Sequence, residues 1–173
     1  MTALRTAGYL CIFAASMLSG FYLENNLKKR WYFLREIYEV FLFLDQEMTH
    51  RYSLIQEALQ YASSHCRTEA ASMLQYTVRR IDSREEGSFL QIWKDAASRL
   101  PEHLLSDEEY CMLCQSGAAL CCTDPVTQKT LLKKYADRFF SYSRSAEAIY
   151  REKGRLYRSL STAGGILIIL LLI

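Results

Sequence analysis

Hydrophobic and polar positions recur with a helical period over most of this chain and lose that alternation only at its two ends. Residues 31–48, WYFLREIYEVFLFLDQEM, hold no glycine or proline. At 3.6 residues per turn, Arg35, Glu36, Glu39 and Gln46 fall on one arc about 100° wide, and most of the remaining circumference is apolar. A helix wet on so narrow a stripe belongs near the centre of a bundle. Tyr32 and Phe43 lie on the same polar arc; they read either as ordinary exposed aromatics or as a contact patch for another protein.

Further helices announce themselves by their caps. SLIQEALQYASSHC opens at Ser53, with Gln56 completing a capping box, and TEAASMLQYTVRRID opens at Thr68. SFLQIWKDAASRL sets Phe89, Trp93, Ala96 and Leu100 at helical spacing and is closed by Pro101. Ser106 with Glu109 is another capping box. Pro125 suits the first turn of a last helix, which nothing need stop apart from Gly154 and the pair Gly164 and Gly165. Along it Gln128, Leu132, Tyr135, Phe139, Tyr142, Ala146, Ile149, Lys153, Leu156 and Leu160 form a seam of about four and a half heptads. That seam packs on the 31–48 helix or on a second copy of the chain, and the intramolecular packing is favoured.

The ends are uniformly apolar. Residues 6–23 carry no charge in 18 positions, and residues 159–173 none in 15. As helices these measure roughly 27 Å and 22 Å, against a hydrocarbon core of about 30 Å. A cleaved signal peptide is the competing reading of the first, but it would leave a secreted product with an insoluble tail. Lys28, Lys29 and Arg30 follow the first stretch, and Arg151, Lys153, Arg155 and Arg158 precede the second. The positive-inside rule then divides the chain into an N-terminal transmembrane helix at 1–24, a cytosolic bundle at 25–158 and a C-terminal transmembrane segment at 159–173. The expected fold is all-α: a bundle of about six helices between two membrane segments, the last helix long and running into the membrane.

Composition agrees with helices: 12 tyrosines, seven glycines and two prolines in 173 residues. A net charge of +2 is too small to make nucleic acid the main partner. Four of the six cysteines fall within CMLCQSGAALCC. On a helix Cys111, Cys114, Cys121 and Cys122 share an arc of about 100° with Ala118, which reads as an apolar packing stripe of small hydrophobes. Cys111 and Cys122 stand roughly 16 Å apart along such a helix, too far for one tetrahedral zinc unless Gly117 breaks it. No phosphate-binding loop, nucleophile elbow or zinc-protease motif is present. His50, His65 and His103 have no acidic or thiol partner at ligand spacing. Glu85, Glu86, Glu108 and Glu109 sit in loops or first turns, where the helix dipole accounts for them. The expectation is a protein without catalytic residues, cofactor or metal.

The order of weak motifs resembles one family, the stage III sporulation protein AB family of endospore-forming bacteria. The resemblance runs through Gly8, Gly20 and Phe21, then Arg30 and Leu34, the SLIQEAL helix, and Trp93 with Leu100. It continues with Gly117, Leu120, Asp124 and Gln128, and ends in GGILIILLLI. Cys121 stands where the family usually has a second glycine, which would be uncomfortable if that position were a left-handed helix end. The family looks like the cytoplasmic domains of the membrane-platform proteins of type II secretion and type IV pilus machines. The resemblance implies a non-catalytic adaptor in the mother-cell membrane facing the forespore, its soluble domain in the cytoplasm. Its partners would be membrane lipid, other membrane proteins of the complex and a secretion-type ATPase, stage III sporulation protein AA. The expected ATPase contact is the exposed face of the first soluble helix: Tyr32, Arg35, Glu36, Glu39 and Phe43. Two alternatives stand beside it: a homo-oligomeric membrane scaffold built on the heptad seam, and a zinc- or redox-responsive regulator built on the cysteines.

Overall fold

The computed structural model describes the backbone of residues 2–50, 55–83 and 87–172, and the side chains of residues 8, 12–48, 55–83 and 87–170. These form α1 (Thr2–His50), α2 (Ile55–His65), α3 (Glu69–Asp82), α4 (Phe89–Ser98), α5 (Asp107–Leu120) and α6 (Pro125–Leu172). No strand occurs among the described residues. Ser53, Glu85 and Glu86 lie outside them. The chain divides into two compact units, one of Met1–Lys29 with Ser145–Ile173, the other of Arg30–Arg144.

The Arg30–Arg144 unit is a bundle with a large-residue core. α1 buries Phe33, Leu34, Ile37, Val40, Phe41 and Leu44, recurring at steps of three and four. α6 answers with Leu132, Ala136 and Phe139. Phe139 stacks on Phe41 with ring centroids 5.4 Å apart, and Tyr135 lies 6.2 Å from the same ring. This part of the seam therefore packs within the chain. The shorter helices pack in sequence order, each on the next, from α2 to α5.

Caps set their limits. Thr68 Oγ1 accepts from Ala70 N, Ser88 Oγ from Gln91 N, and Ser106 with Glu109 forms the full reciprocal box. Asp124 Oδ2 accepts from Thr127 N at 2.9 Å, one residue ahead of Pro125. Cys121 caps α5 at φ −91° and ψ −1°, a right-handed conformation that any residue adopts. The substitution for glycine there introduces no strain.

Two features of this unit tie distant segments together. Arg30 forms a forked pair with the buried Glu109, its Nη2 donating at 2.8 and 2.9 Å, while Glu109 Oε2 also accepts from Ser106 N. Trp93, fully buried, donates from Nε1 to Leu113 O at 2.8 Å. A Cβ on Gly117 would stand 2.6 Å from Trp93 Cδ1, so the indole fits only because that position has no side chain.

The other unit is packed the opposite way. Its α1 and α6 segments run antiparallel, with Ser16 and Gly20 against Ser161 and Gly165. A Cβ on Gly20 would lie 2.7 Å from Ser161 Oγ, one on Gly165 3.1 Å from Ser16, and Ser16 Oγ donates to Ser161 O. Small residues thus fill the seam. Leu18, Tyr22, Leu160, Leu167 and Leu170 point outward and are exposed.

The expected heptad seam fails in this unit. Ala146 is still buried, but beyond it Lys153, Leu156 and Leu160 are exposed, and the buried positions there are Gly154 and Gly165 instead. A straight helix drifts about 20° per heptad against a strict seven-residue repeat, so four heptads carry the original stripe well away from its packing face. The helices pass unbroken through residues 24 and 158 and through Gly154, Gly164 and Gly165. No helix among the described residues is long and apolar enough to cross a membrane. The expected anchors at 1–24 and 159–173 rest partly on residues 1–7, 9–11 and 171–173, whose side chains lie outside the description.

Candidate partner-binding groove

The five residues expected to face a partner all line one concavity of about 520 Å³ in the Arg30–Arg144 unit. The outer face of α1 supplies Tyr32, Arg35, Glu36, Glu39 and Phe43; α2 and the turn into α3 supply Tyr61, His65, Cys66 and Arg67. Helical period explains the α1 set, because positions 32, 35, 36, 39 and 43 follow one another around one face.

These residues do different work. Tyr32 is 40% exposed. Arg35 and Glu39, both about half exposed, pair along the helix at 3.0 Å. Glu36 departs from the expectation of an exposed contact residue. It is half-buried, and its carboxylate accepts from Arg67 N and Thr68 N at 2.9 Å each and from Thr68 Oγ1 at 2.6 Å. Three donors at the N-terminus of α3, reinforced by the helix dipole, hold that anion in place. Phe43 departs likewise: half-buried, it stacks on Tyr61 at 4.9 Å between centroids. Tyr61 in turn lies 4.3 Å from the His65 ring, whose Nδ1 is 2.9 Å from Tyr61 O.

The groove is therefore a ladder of aromatic rings beside one ion pair, over a floor containing the Cys66 thiol. Burial first, and then the neighbouring Glu36 and Glu39 carboxylates, push that thiol up to about 12. It stays protonated at neutral pH and is a poor nucleophile. The arrangement offers shape, aromatic surface and charge. Tyr61, His65, Cys66 and Arg67 were missed from sequence. The spacing of Tyr61 and His65, four apart on α2, was the available signal for a ring pair on one face.

The cysteine cluster is corrected by the fold. α5 buries Glu109, Leu113, Ser116, Gly117, Ala119 and Leu120, whereas Cys111, Ala118 and Cys121 are exposed and Cys114 and Cys122 half-buried. The cysteines are not the packing stripe; Trp93 occupies that side and requires small residues opposite it. Burial raises Cys114, against a lowering hydrogen bond from Tyr110, and burial raises Cys121. Among the described residues no three His, Cys, Asp or Glu side chains are grouped to hold a metal ion. His65 ends α2 and His103 lies exposed between α4 and α5, while the His50 side chain falls outside the description.

A family model described as stage III sporulation protein AB matches residues 5–173. The chain belongs to that family, which gives it a role in sporulation. No curated protein and no solved structure matches it.

Proposed function

We propose that this member of the stage III sporulation protein AB family is a non-catalytic, membrane-anchored adaptor of the apparatus joining mother cell and forespore. It couples a cytosolic secretion-type ATPase, stage III sporulation protein AA, to the membrane complex. The observation that carries this reading is the convergence of Tyr32, Arg35, Glu36, Glu39 and Phe43 on one aromatic-walled groove. Rigid aromatic side chains around a concavity are the usual centre of protein recognition, and the Arg35–Glu39 pair at the rim adds orientation.

The membrane part rests on the uncharged stretches 6–23 and 159–173, their basic flanks, and the packing of the unit that contains them. Small residues inside and large apolar residues outside is how helices associate in lipid, where backbone approach replaces the hydrophobic effect as the driving force. The bundle then faces the mother-cell cytoplasm from the membrane that borders the forespore.

The test is a titration of the full chain in nanodiscs with the ATPase, following hydrolysis rate in the same sample. Saturable binding is expected, and the double variant Tyr32→Ala, Phe43→Ala should weaken it about 30-fold, the effect of losing about 2 kcal/mol of aromatic contact. Undiminished binding by a variant of unchanged helicity removes the groove from the contact. No binding by the parent chain at high micromolar concentration removes the adaptor.

A further inference from the structure

The unit of Met1–Lys29 and Ser145–Ile173 carries a second concavity, larger than the first at about 940 Å³. Leu18, Phe21 and Tyr22 form its apolar end, and Lys28 and Arg158 bring its positive charge. One acid, Glu24, lines it as well.

Arg158 is the unusual member. It is the last charged residue of the chain, yet its guanidinium sits over the Phe21 ring, 5.0 Å from the centroid. Phe21 lies inside the uncharged 6–23 stretch. Among the described residues no carboxylate pairs with Arg158. A cation held at the depth of an uncharged helix segment calls for an anion brought from outside, and stacking on an aromatic face fixes where that anion must come. Leu18, Phe21, Tyr22 and Leu23 give the groove beside it a largely apolar lining.

On the strength of the membrane-anchor reading above, we propose that this groove binds one anionic phospholipid. Its headgroup phosphate lies on Arg158 with Lys28 beside it, and an acyl chain follows Leu18 and Phe21. The chemistry selects each half of the ligand. A guanidinium matches phosphate oxygens in a forked geometry. The Leu18-to-Lys28 span is roughly 15 Å along the helix, long enough for a headgroup and the upper part of one acyl chain. A zwitterionic lipid presents the same phosphate but adds an ammonium that two cations repel. With Glu24 against Lys28 and Arg158, the groove keeps a net positive charge, so a lipid carrying net negative charge is preferred.

The experiment uses the full chain in neutral detergent micelles, titrated by calorimetry with short-chain phosphatidylglycerol, phosphatidylcholine of the same chain length, and glycerol 3-phosphate. Partition of the chain into phosphatidylcholine nanodiscs is measured in parallel. The expected result is one equivalent of phosphatidylglycerol bound about tenfold tighter than phosphatidylcholine. Arg158→Gln and, separately, Lys28→Gln should narrow that gap to about threefold or less with helicity unchanged, whereas Arg158→Lys keeps part of it. Equal affinity for the two lipids, with the chain still retained in nanodiscs, overturns the headgroup site and leaves the anchor standing. Glycerol 3-phosphate binding as tightly as the lipid overturns the lipid in favour of a free-anion site. A chain that enters no bilayer overturns the anchor and this site with it.

Discussion

Gly117→Ala adds one methyl group directly against the Trp93 indole. The new Cβ would stand 2.6 Å from Trp93 Cδ1 and 2.9 Å from Cγ, well inside contact distance. Two effects oppose each other. Alanine is the better helix former, a gain of about 1 kcal/mol at an interior position of α5. Overpacking a filled core costs about 1–3 kcal/mol. The indole cannot retreat freely, because its Nε1 is committed to Leu113 O at 2.8 Å and no part of it reaches solvent. Breaking that bond leaves a buried donor unmade, at about 1–3 kcal/mol. The steric side wins, and the net expectation is a loss of about 2 kcal/mol.

The assay is urea unfolding of the full chain in neutral detergent, followed by far-ultraviolet circular dichroism and by tryptophan fluorescence. Ala118→Gly is the control: Ala118 is exposed, so only helix propensity changes, and the loss should be about 1 kcal/mol. The decisive comparison is the cycle with Trp93→Leu. If the collision is the cause, Gly117→Ala should cost at least about 1 kcal/mol less in the Trp93→Leu background. A Gly117→Ala chain as stable as the parent, or more stable, refutes the reasoning outright, because helix propensity would then outweigh the collision.

Two further outcomes follow from the bundle. Arg30→Met strands the Glu109 carboxylate in the core with Ser106 N as its remaining donor and should cost about 2–3 kcal/mol, below the figure for a fully buried pair because Arg30 is 29% exposed. Glu109→Gln keeps a capping-box side chain and should cost less; an unfolding midpoint unmoved by Arg30→Met contradicts the pairing. Cys66 should resist alkylation at pH 8 while Cys111 and Cys121 react, as mass spectrometry of labelled peptides will read. The unfolded thiol ionises near 9.0 and the folded one near about 12, so the folded state holds the proton longer. Its contribution to stability is complete below the unfolded value and is lost as pH rises from there through about 12. Rapid labelling of Cys66 in the folded chain at pH 8 would show that the thiol is neither buried nor beside the carboxylates.

What could be read without coordinates was local. The box at Ser106 and Glu109 was legible because both partners lie within one turn. The Arg30 that pairs with the same carboxylate stands 79 positions away, and nothing in either segment names the other. Glu36 was placed correctly on the polar arc of α1, yet its role as an anion at the start of α3 depends on Thr68, which comes 32 positions later. The cysteine arc shows a different limit. Periodicity says which residues share a face; it does not say which face is inside. On α5 the inner face includes Ser116, Gly117 and Ala119 beside Leu113 and Leu120, and Gly117 is small there because the volume is filled by an indole from α4.

The same rule separates the two ends of α1. Within one uninterrupted helix, Phe33, Phe41 and Leu44 turn inward in the Arg30–Arg144 unit, while Leu18 turns outward in the other and Gly20 turns in. Water drives large apolar side chains together, which produces the first arrangement. It gives no reason for the second, where the seam is serine and glycine and the exposed positions are leucine. Removing the penalty for apolar exposure makes that second arrangement the favourable one, since small residues let backbones approach and large ones meet acyl chains. If, as proposed, one end of each long helix works in water and the other in lipid, this inversion is what an adaptor needs, and Arg158 over Phe21 belongs to the half that would meet lipid.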